Sequence, residues 1–288
     1  MNRESDLPDA LQAKRDRLLQ LLRGYGSCAV GFSGGLDSSV LARAAVEALG
    51  EKAVAVTVAG ASIATGELDE ARDVARHIGI RHEIVTVDEI SQPEYRRNDS
   101  DRCYHCKKVF GQTIADAAER LGLAVVVDGR NRDDLGDYRP GIRAAVEMGI
   151  QGPLAECGLT KAELRQLAQQ WRLPTWDKPA TPCLSSRIAY GEEITPERLA
   201  MIDRAEQSLR ALGFRPLRVR YHGGDLARVE VPESELPRFA NAELRRQVVA
   251  SLKDAGFKYV SLDLEGFRSG SMNESLSAET LLNAGQEP

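Results

Sequence analysis

Short apolar runs alternate with polar stretches of helical spacing over the first two thirds of the chain. The runs are rich in small and β-branched residues and predict buried strands at 27–30, 53–58, 84–87 and 124–127. The stretches between them predict helices at 38–49, 67–78 and 109–121. This order indicates a doubly wound parallel sheet of the α/β class, in which ligands bind beyond the carboxyl ends of the strands.

The last third of the chain has a different pattern. A Pro-rich polar segment at 174–190 cannot be a continuous helix and predicts a loop that leaves the first domain. After it, the periodicity predicts elements in the order αββαβ, at 196–212, 217–221, 227–231, 236–255 and 258–264. We therefore expect two domains, a larger one at 1–190 and a small α+β domain at 191–288.

Composition and charge exclude several classes of protein. The chain has 288 residues, 42% of them hydrophobic, but no apolar run near the ~20 residues that span a bilayer, and its start does not resemble a signal peptide. These features predict a cytoplasmic protein without a membrane partner. The net charge of −5 repels polyanions and disfavours nucleic acid as a partner.

A glycine- and serine-rich turn connects the first predicted strand to the first predicted helix. Its glycines permit close approach of the backbone, and its hydroxyls add donors at the positive helix N-terminus. This pattern predicts phosphate binding by Ser33, Gly34, Gly35, Leu36, Asp37, Ser38 and Ser39. The alternative is an ordinary Gly-rich turn with a serine N-cap.

A second polar cluster follows the predicted strand at 124–127. Asp128, Gly129 and Asn131 lie where a parallel sheet presents its carboxyl edge, so they are candidates for the same nucleotide site. The alternative is that Asp128 and Gly129 only end the strand and that 131–134 is a solvated turn.

Five cysteines in a chain without a secretory signal disfavour a disulfide framework. Cys103 and Cys106 form a C-x-x-C between the strand at 84–87 and the helix from 109, and Cys183 lies in the Pro-rich loop. Such a pair fits a redox couple, part of a zinc site or part of an iron–sulfur site, and thiols without any ligand are a further alternative. Cys28 and Cys157 are expected to be packing residues.

The glycine- and serine-rich turn resembles the PP-loop, S-G-G-x-D-S-S, which grips the pyrophosphate of ATP while an α-phosphate is transferred. On that resemblance Asp37 would help to hold Mg²⁺. Further segments are similar to the LarE sulfur transferases, which mature the nickel-pincer cofactor of lactate racemase. The matching segments are 33–39, 102–107, 128–131, 134–141, 178–187, 227–230 and 263–273.

The resemblance implies a fold, a reaction and a division of labour. The fold would be that of the PP-loop, adenine nucleotide alpha-hydrolase-like ATPases, with the ATP and sulfur chemistry at 1–190 and substrate binding or oligomerisation at 191–288. A carboxylate of pyridinium-3,5-biscarboxylic acid mononucleotide would be adenylated by ATP, and sulfur would replace AMP. Members of the family are homo-oligomers built from trimers.

Two forms of the family differ in their source of sulfur. One form sacrifices a single cysteine, and Cys183 matches that position. The other carries three cysteines and an iron–sulfur cluster. Because this chain also has Cys103 and Cys106, we predict the second form, with a [4Fe–4S] cluster on Cys103, Cys106 and Cys183 and an unidentified sulfide donor.

Polar residues after the PP-loop are expected to bind the small-molecule mononucleotide. The candidates are Lys178, Ser186 and Arg187 around Cys183, with Arg220, Arg228, Glu230 and Arg268 in the small domain. The alternatives are solvated loop residues, the wet face of a strand, or ion pairs across a subunit interface.

Other functions share some of these features. A tRNA thiolation enzyme also combines a PP-loop with cysteines, although the acidic balance disfavours it. A synthetase of the NAD or GMP type makes no use of the three cysteines. A binding protein that senses a nucleotide without turnover is the last alternative.

Overall fold

A computed structural model describes residues 7–136, 140–179, 181–268 and 272. Parts of the matching segments at 134–141, 178–187 and 263–273 therefore lie outside the described residues. The chain divides into two compact units, each described by itself. The first comprises Met1–Gly60, Thr65–Val87 and Cys103–Thr181, and the second comprises Ala61–Ala64, Asp88–Arg102 and Pro182–Pro288. The domain division between residues 190 and 191 stays a prediction.

The helices, in chain order, are α1 (Asp9–Tyr25), α2 (Leu36–Leu49), α3 (Glu67–Ile78), α4 (Pro93–Arg96), α5 (Arg102–Arg120), α6 (Pro140–Glu147), α7 (Pro153–Glu156), α8 (Lys161–Gln170), α9 (Pro196–Ala211) and α10 (Ala242–Asp254). None of these described helices is long and apolar enough to cross a membrane.

The first unit contains a parallel sheet. Its strands are β1 (Cys28–Gly31), β2 (Ala53–Ala59), β3 (Arg81–Thr86) and β4 (Val125–Val127), in the order β3-β2-β1-β4. All three neighbouring pairs are parallel, with Cys28 opposite both Ala53 and Val125. The predicted α/β class is confirmed.

Alternating residues of the strands face two separate cores. Cys28 and Val30 of β1 belong to a core that includes residues of α1, α2, α3 and α8. Ala29, between them, faces the other side and packs with Ile114 and Ala117 of α5. Both faces of the sheet are therefore covered by helices, as a doubly wound sheet requires.

The second unit contains a mixed sheet of β5 (Arg218–His222), β6 (Leu226–Glu230) and β7 (Tyr259–Leu262). β5 and β6 are antiparallel, and β6 and β7 are parallel. The order α9, β5, β6, α10, β7 matches the predicted αββαβ pattern.

Two predicted helices have different bounds. The helix expected from 109 begins at Arg102, so both residues of the C-x-x-C are helical. The helix expected over 236–255 is a 3-10 segment at Glu233–Ala240 followed by α10, which begins after its N-cap Asn241. Pro237 lies inside the 3-10 segment, where its missing N–H prevents a continuous α-helix.

Candidate active site

The PP-loop joins the end of β1 to the N-terminus of α2. Gly34 has φ +67°, and a Cβ there would lie 2.8 Å from the Cα of Ala71. Only glycine fits both the backbone conformation and the contact with α3. Gly35 then caps α2, so the first N–H groups of α2, which lack intrahelical acceptors, are available to an anion.

The serine hydroxyls hold the loop in shape. Ser38 and Ser39 donate to the carbonyl of Gly35 at 3.2 and 2.7 Å. The Oγ of Ser33 accepts the N–H of Gly35 at 3.3 Å and lies 3.2 Å from the Oγ of Ser38. These bonds pre-arrange the backbone that would surround a phosphate group.

A polar chain supports the residue before the loop. Thr57 of β2 donates its hydroxyl to the carbonyl of Phe32 at 2.7 Å, and the same oxygen lies 2.7 Å from Nε2 of His82. Because the hydroxyl proton is used on Phe32, Nε2 of His82 is the donor to Thr57. Burial lowers the pKa of His82, and the charge of Arg72 lowers it further.

Two lysines reach the loop from later parts of the first unit. Lys161, the first residue of α8, places Nζ 2.5 Å from Oδ2 of Asp37. Lys178 donates to the carbonyl of Gly34 at 3.1 Å and pairs with Glu70 at 2.8 Å. The structure thus brings Lys178 to the loop and adds Lys161, which the sequence did not single out.

The segment after β4 also approaches the loop. A Cβ on Gly129 would lie 3.0 Å from the backbone nitrogen of Ser38, so the chain passes close to the N-terminus of α2. Oδ2 of Asp128 forms an ion pair with Nζ of Lys107 at 3.0 Å. Asn131 is buried, and its side chain accepts the N–H of Asp133 at 2.8 Å. A solvated turn therefore does not describe Asn131.

Two cysteines of the first unit lie on successive turns at the start of α5. Cys103 is exposed and Cys106 is partly exposed, and their spacing of three residues puts them on one side of the helix. Over the described parts of the chain, no group of three or more Cys, His, Asp or Glu side chains is arranged to hold a metal ion.

The other cysteines are in different environments. Burial raises the pKa of Cys28 to about 12 and also raises the pKa of the Cys157 thiol. Both are buried in the core of the first unit, as expected for packing residues. Cys183, in the second unit, is exposed, and none of the five cysteines forms a disulfide.

Arg187 fixes the loop that carries Cys183. Its guanidinium is fully buried, pairs with Glu206 at 3.0 Å, and donates to the carbonyls of Pro182 and Cys183, the latter at 2.9 Å. Leu184 N–H donates to the carbonyl of Ser62 at 2.8 Å. The observed contacts of Arg187 hold this loop in position through its carbonyl groups, and a contact of Arg187 with substrate stays a prediction.

A cavity of ≈ 170 Å³ lies within the second unit beside this loop. Four arginines line it, together with Pro182, Ser186 and the aromatic rings of Tyr190 and Phe267. The arginines are Arg102, Arg218, Arg220 and Arg268. Burial, and after it the charge of Arg187, lower the pKa of Arg218 to about 10. Arg220 and Arg268 form ion pairs at 2.9 Å with Glu230 and Glu265, respectively, and the cavity still presents four guanidinium groups, which suit a ligand with several anionic groups.

Arg228 and Glu230 belong to an ion-pair network on β6. Glu230 is fully buried and pairs with Arg220 at 2.9 Å and with Arg228 at 3.3 Å. Arg228 also pairs with Asp263 at 2.6 Å. Glu230 is therefore not on a wet strand face, and its observed contacts orient Arg220 at the cavity. Substrate binding by Arg228 and Glu230 stays a prediction.

Comparison with known proteins identifies the family. A protein of Lactiplantibacillus plantarum named pyridinium-3,5-bisthiocarboxylic acid mononucleotide synthase is 38% identical over 274 residues, which cover 94% of this chain and 98% of the relative. The chain belongs to the LarE family. An uncharacterized protein of Synechocystis is similar over the same extent, with 44% identity over 93% of this chain and 99% of its own length.

The chain is similar to two further groups of proteins. The NAD synthase family matches residues 15–107, which include the PP-loop. A component of the glutamine-hydrolyzing GMP synthase of Thermoplasma acidophilum is 27% identical over 62% of each chain. These comparisons confirm the predicted LarE family and the predicted class of enzyme, an ATP-dependent sulfur-inserting PP-loop enzyme.

Some residues of the candidate site were not predicted from the sequence. Arg218 was missed although it alternates on β5 with the predicted Arg220, a spacing that puts both on one face. Arg102 was predicted only as part of the segment 102–107, which matches the LarE family. Lys161 follows Thr160 in a capping box with Glu163, which signals the start of a helix and gives no sign of the contact with Asp37.

Proposed function

We propose that the chain adenylates a carboxylate of pyridinium-3,5-biscarboxylic acid mononucleotide with ATP and replaces AMP by sulfur, first on one carboxylate and then on the other. The Lactiplantibacillus plantarum relative is named as a synthase of the bisthiocarboxylic product. The observation that carries the proposal is the arginine-lined cavity beside the Cys183 loop, because this substrate combines a phosphate with two carboxylates.

The PP-loop would bind the triphosphate of ATP. The N-terminus of α2 and the loop backbone supply N–H donors, and Lys161 and Lys178 supply positive charge at Asp37 and Gly34. Asp37 offers a carboxylate at the same place, and Mg²⁺ binds through one or two carboxylates together with phosphate oxygens. The donor set at the loop therefore fits Mg²⁺–ATP.

The chemistry of the acyl adenylate explains the need for ATP. A free carboxylate is a poor electrophile, whereas hydrosulfide or a thiolate attacks an acyl adenylate at its carbonyl carbon with AMP as leaving group. The C–S bond forms, the C–O bond to AMP breaks, and the proton of hydrosulfide goes to solvent. The arginines of the cavity would hold the phosphate and carboxylates during this exchange.

For the sulfur source we propose the three-cysteine form, with a [4Fe–4S] cluster held by Cys103, Cys106 and Cys183. All three thiols are at least partly exposed, which fits ligands that take up a cluster. A cluster with three protein ligands leaves one iron open to carry a sulfide. Cys103 and Cys106 would supply two thiolates from the start of α5, and Cys183 would supply the third from its loop.

A second source of sulfur is favoured by the exposure of Cys183 on a loop that Arg187 holds in place. The thiolate of Cys183 would attack the acyl adenylate and release AMP. Removal of the Cα proton and cleavage of the Cβ–S bond of Cys183 would then release the thiocarboxylate and leave dehydroalanine. The two sources differ in iron content and in the number of turnovers.

One experiment tests the proposed function and separates the two sources. The full chain is purified without oxygen, its iron and acid-labile sulfide are measured, and it is incubated with Mg²⁺–ATP, sulfide and the biscarboxylic mononucleotide. Mass spectrometry then follows AMP, the thiocarboxylate and the peptide with Cys183. Cys183→Ser is the test variant, and Cys157→Ala is the control for loss of a thiol in the protein core.

The expected result is bound iron, repeated formation of thiocarboxylate with release of AMP, and activity that is lost in Cys183→Ser but kept in Cys157→Ala. One thiocarboxylate group for each chain, with loss of H₂S from Cys183 and no iron, would support sacrifice of the cysteine. Absence of AMP formation with this substrate would overturn the proposed function. We further propose that the chain is a trimer-based homo-oligomer in the cytoplasm, with no nucleic-acid partner.

A further inference from the structure

The segment Asp88–Arg102 in the second unit contains an asparagine with an unusual number of hydrogen bonds. Asn98 is fully buried, and its φ is 58°, in the left-handed region. Among residues with a Cβ, asparagine tolerates this region best. A buried amide must also find hydrogen-bond partners, because an unsatisfied polar group in the interior costs free energy.

The side chain of Asn98 meets this requirement at both of its polar atoms. Its Nδ2 donates to the carbonyls of Ala189 at 2.8 Å, Glu192 at 2.9 Å and Ile188 at 3.4 Å. Its Oδ1 accepts from Arg102 at 2.5 Å. The reverse amide orientation would place Oδ1 against three carbonyl oxygens, so the contacts themselves determine which atom is the donor.

These partners belong to two functional parts of the second unit. The carbonyls lie in the loop at 182–194, which carries Cys183, and the carbonyl oxygen of Asn98 accepts the N–H of Gly191 in that loop at 3.1 Å. Arg102 lines the arginine-lined cavity described above and also donates to the carbonyl of Ser185 at 3.0 Å. One amide therefore joins the loop to a cavity arginine.

We propose that Asn98 is a positioning residue for sulfur transfer. Nδ2 fixes the far side of the Cys183 loop, and Oδ1 orients Arg102 toward the cavity. An exposed loop without such bonds samples many conformations, and a small displacement of a reacting group lowers the rate strongly. The link between Asn98 and sulfur transfer rests on the proposed function, whereas the effect of Asn98 on the loop rests on the observed contacts alone.

Two substitutions separate the two atoms of the amide. Asn98→Asp keeps an oxygen for Arg102 but replaces the donor by an acceptor that faces carbonyl oxygens. Asn98→Gly tolerates the positive φ and removes both atoms. The matched control is Asn241→Gly in the same unit, because Asn241 caps α10 by accepting the N–H groups of Glu243 and Leu244 at 2.8 and 3.1 Å.

The measurements use the full chain. Hydrogen exchange reports the amides of 184–192, and iodoacetamide alkylation reports Cys183. A urea midpoint gives overall stability. Both Asn98 variants are expected to speed exchange of this loop about tenfold and to change the alkylation rate of Cys183. Asn241→Gly is expected to lower the urea midpoint without either local change.

Kinetics provide a second arm. Asn98→Asp is expected to lower kcat for thiocarboxylate formation with an unchanged KM for the mononucleotide, whereas Asn98→Gly is expected also to raise KM. Loop exchange and Cys183 alkylation equal to those of Asn241→Gly would overturn the role of Asn98. If the wild-type chain makes no thiocarboxylate, the proposed function fails, and exchange and alkylation still decide whether Asn98 controls the loop.

Discussion

At the scale of single residues, the PP-loop combines a carboxylate with two lysines. Asp37 would repel a triphosphate unless a cation neutralised it, and Lys161 supplies that cation at 2.5 Å. Lys178 adds a second positive charge at the carbonyl of Gly34. The loop therefore contributes geometry through its glycines, and later segments of the first unit contribute the charge.

Removal of the Lys161 charge should weaken the ATP step. Lys161→Met is expected to lower kcat/KM for ATP about 10- to 100-fold, because a charge-assisted hydrogen bond at the loop is lost. ATP–pyrophosphate exchange in the presence of the mononucleotide measures the effect. The control is Lys258→Met, which removes an exposed 2.7 Å pair with Asp225 in the second unit. Equal activity of the two variants would contradict a role for Lys161 in ATP binding.

A methyl group at Gly34 should disrupt the loop more than backbone strain alone explains. Gly34→Ala and Gly79→Ala both force alanine to a positive φ, 67° and 77°, but a Cβ at Gly79 meets no atom within 4 Å. Each variant is expected to lose about 1–2 kcal/mol of unfolding free energy from the backbone conformation. Only Gly34→Ala pushes against Ala71, so only it is expected to lower the adenylation rate, by about 100-fold. ATP–pyrophosphate exchange in the presence of the mononucleotide and urea denaturation of both variants test this difference.

At the scale of elements, Glu206 of α9 joins three parts of the second unit. It pairs with Arg187 under the Cys183 loop, with Arg210 on its own helix at 2.7 Å, and with the N–H of Val219 on β5 at 3.2 Å. The carboxylate is fully buried, so these donors replace water. The position of the cysteine loop therefore depends on the packing of α9 against the sheet.

Loss of the Glu206 charge should be costly. Glu206→Gln leaves the buried Arg187 without a counter-ion and is expected to lower the unfolding free energy by about 3–5 kcal/mol. The matched control is Glu243→Gln, which breaks an exposed pair with Arg246 and is expected to cost about 0–1 kcal/mol. Urea denaturation measures both. A similar cost for the two variants would show that the buried pair contributes no more than an exposed one.

Periodicity predicted the helices and strands that bury an apolar face. It missed the start of α5, where no apolar periodicity marks the helix. The strand at 53–58 was found because its β-branched run is buried on both faces, whereas β3, which is only partly buried, extends from Arg81 to Thr86 and was predicted at 84–87. The start of α5 was missed because Arg102, Cys103 and Cys106 carry no apolar helical period, and Arg102 is held there by hydrogen bonds to Asn98 and Ser185.

The site was predictable to the extent that its residues are adjacent in sequence. The PP-loop is a local motif, whereas the pairs of Lys161 with Asp37 and of Asn98 with Ala189 join residues 124 and 91 positions apart. No local pattern encodes such contacts. Arg187 is a further example. Its charge and its place beside Cys183 suggested substrate binding, whereas in the structure it is buried and forms an ion pair with Glu206, a residue 19 positions away.

At the scale of the whole molecule, each unit contains a histidine whose pKa is lowered. His82 lies in the first unit, where burial and then the charge of Arg72 lower its pKa. His222 lies in the second unit, where burial and then the charge of Arg228 lower its pKa, and its Nε2 accepts from Nε of Arg228 at 3.2 Å. A proton on that nitrogen would face a guanidinium.

Mild acid should therefore destabilise both units. The folded pKa of each histidine is below the value of 6.5 for the free side chain, so the unfolded chain binds the proton first as the pH falls. The stability is fully present above about pH 6.5 and decreases toward pH 5, by at most about 1.4 kcal/mol per pH unit for each histidine. Urea unfolding between pH 7.5 and 5 should show this slope, and His82→Gln and His222→Gln should each reduce it. His77→Gln controls for the substitution itself, and an unchanged slope in both test variants would assign the acid sensitivity to other groups.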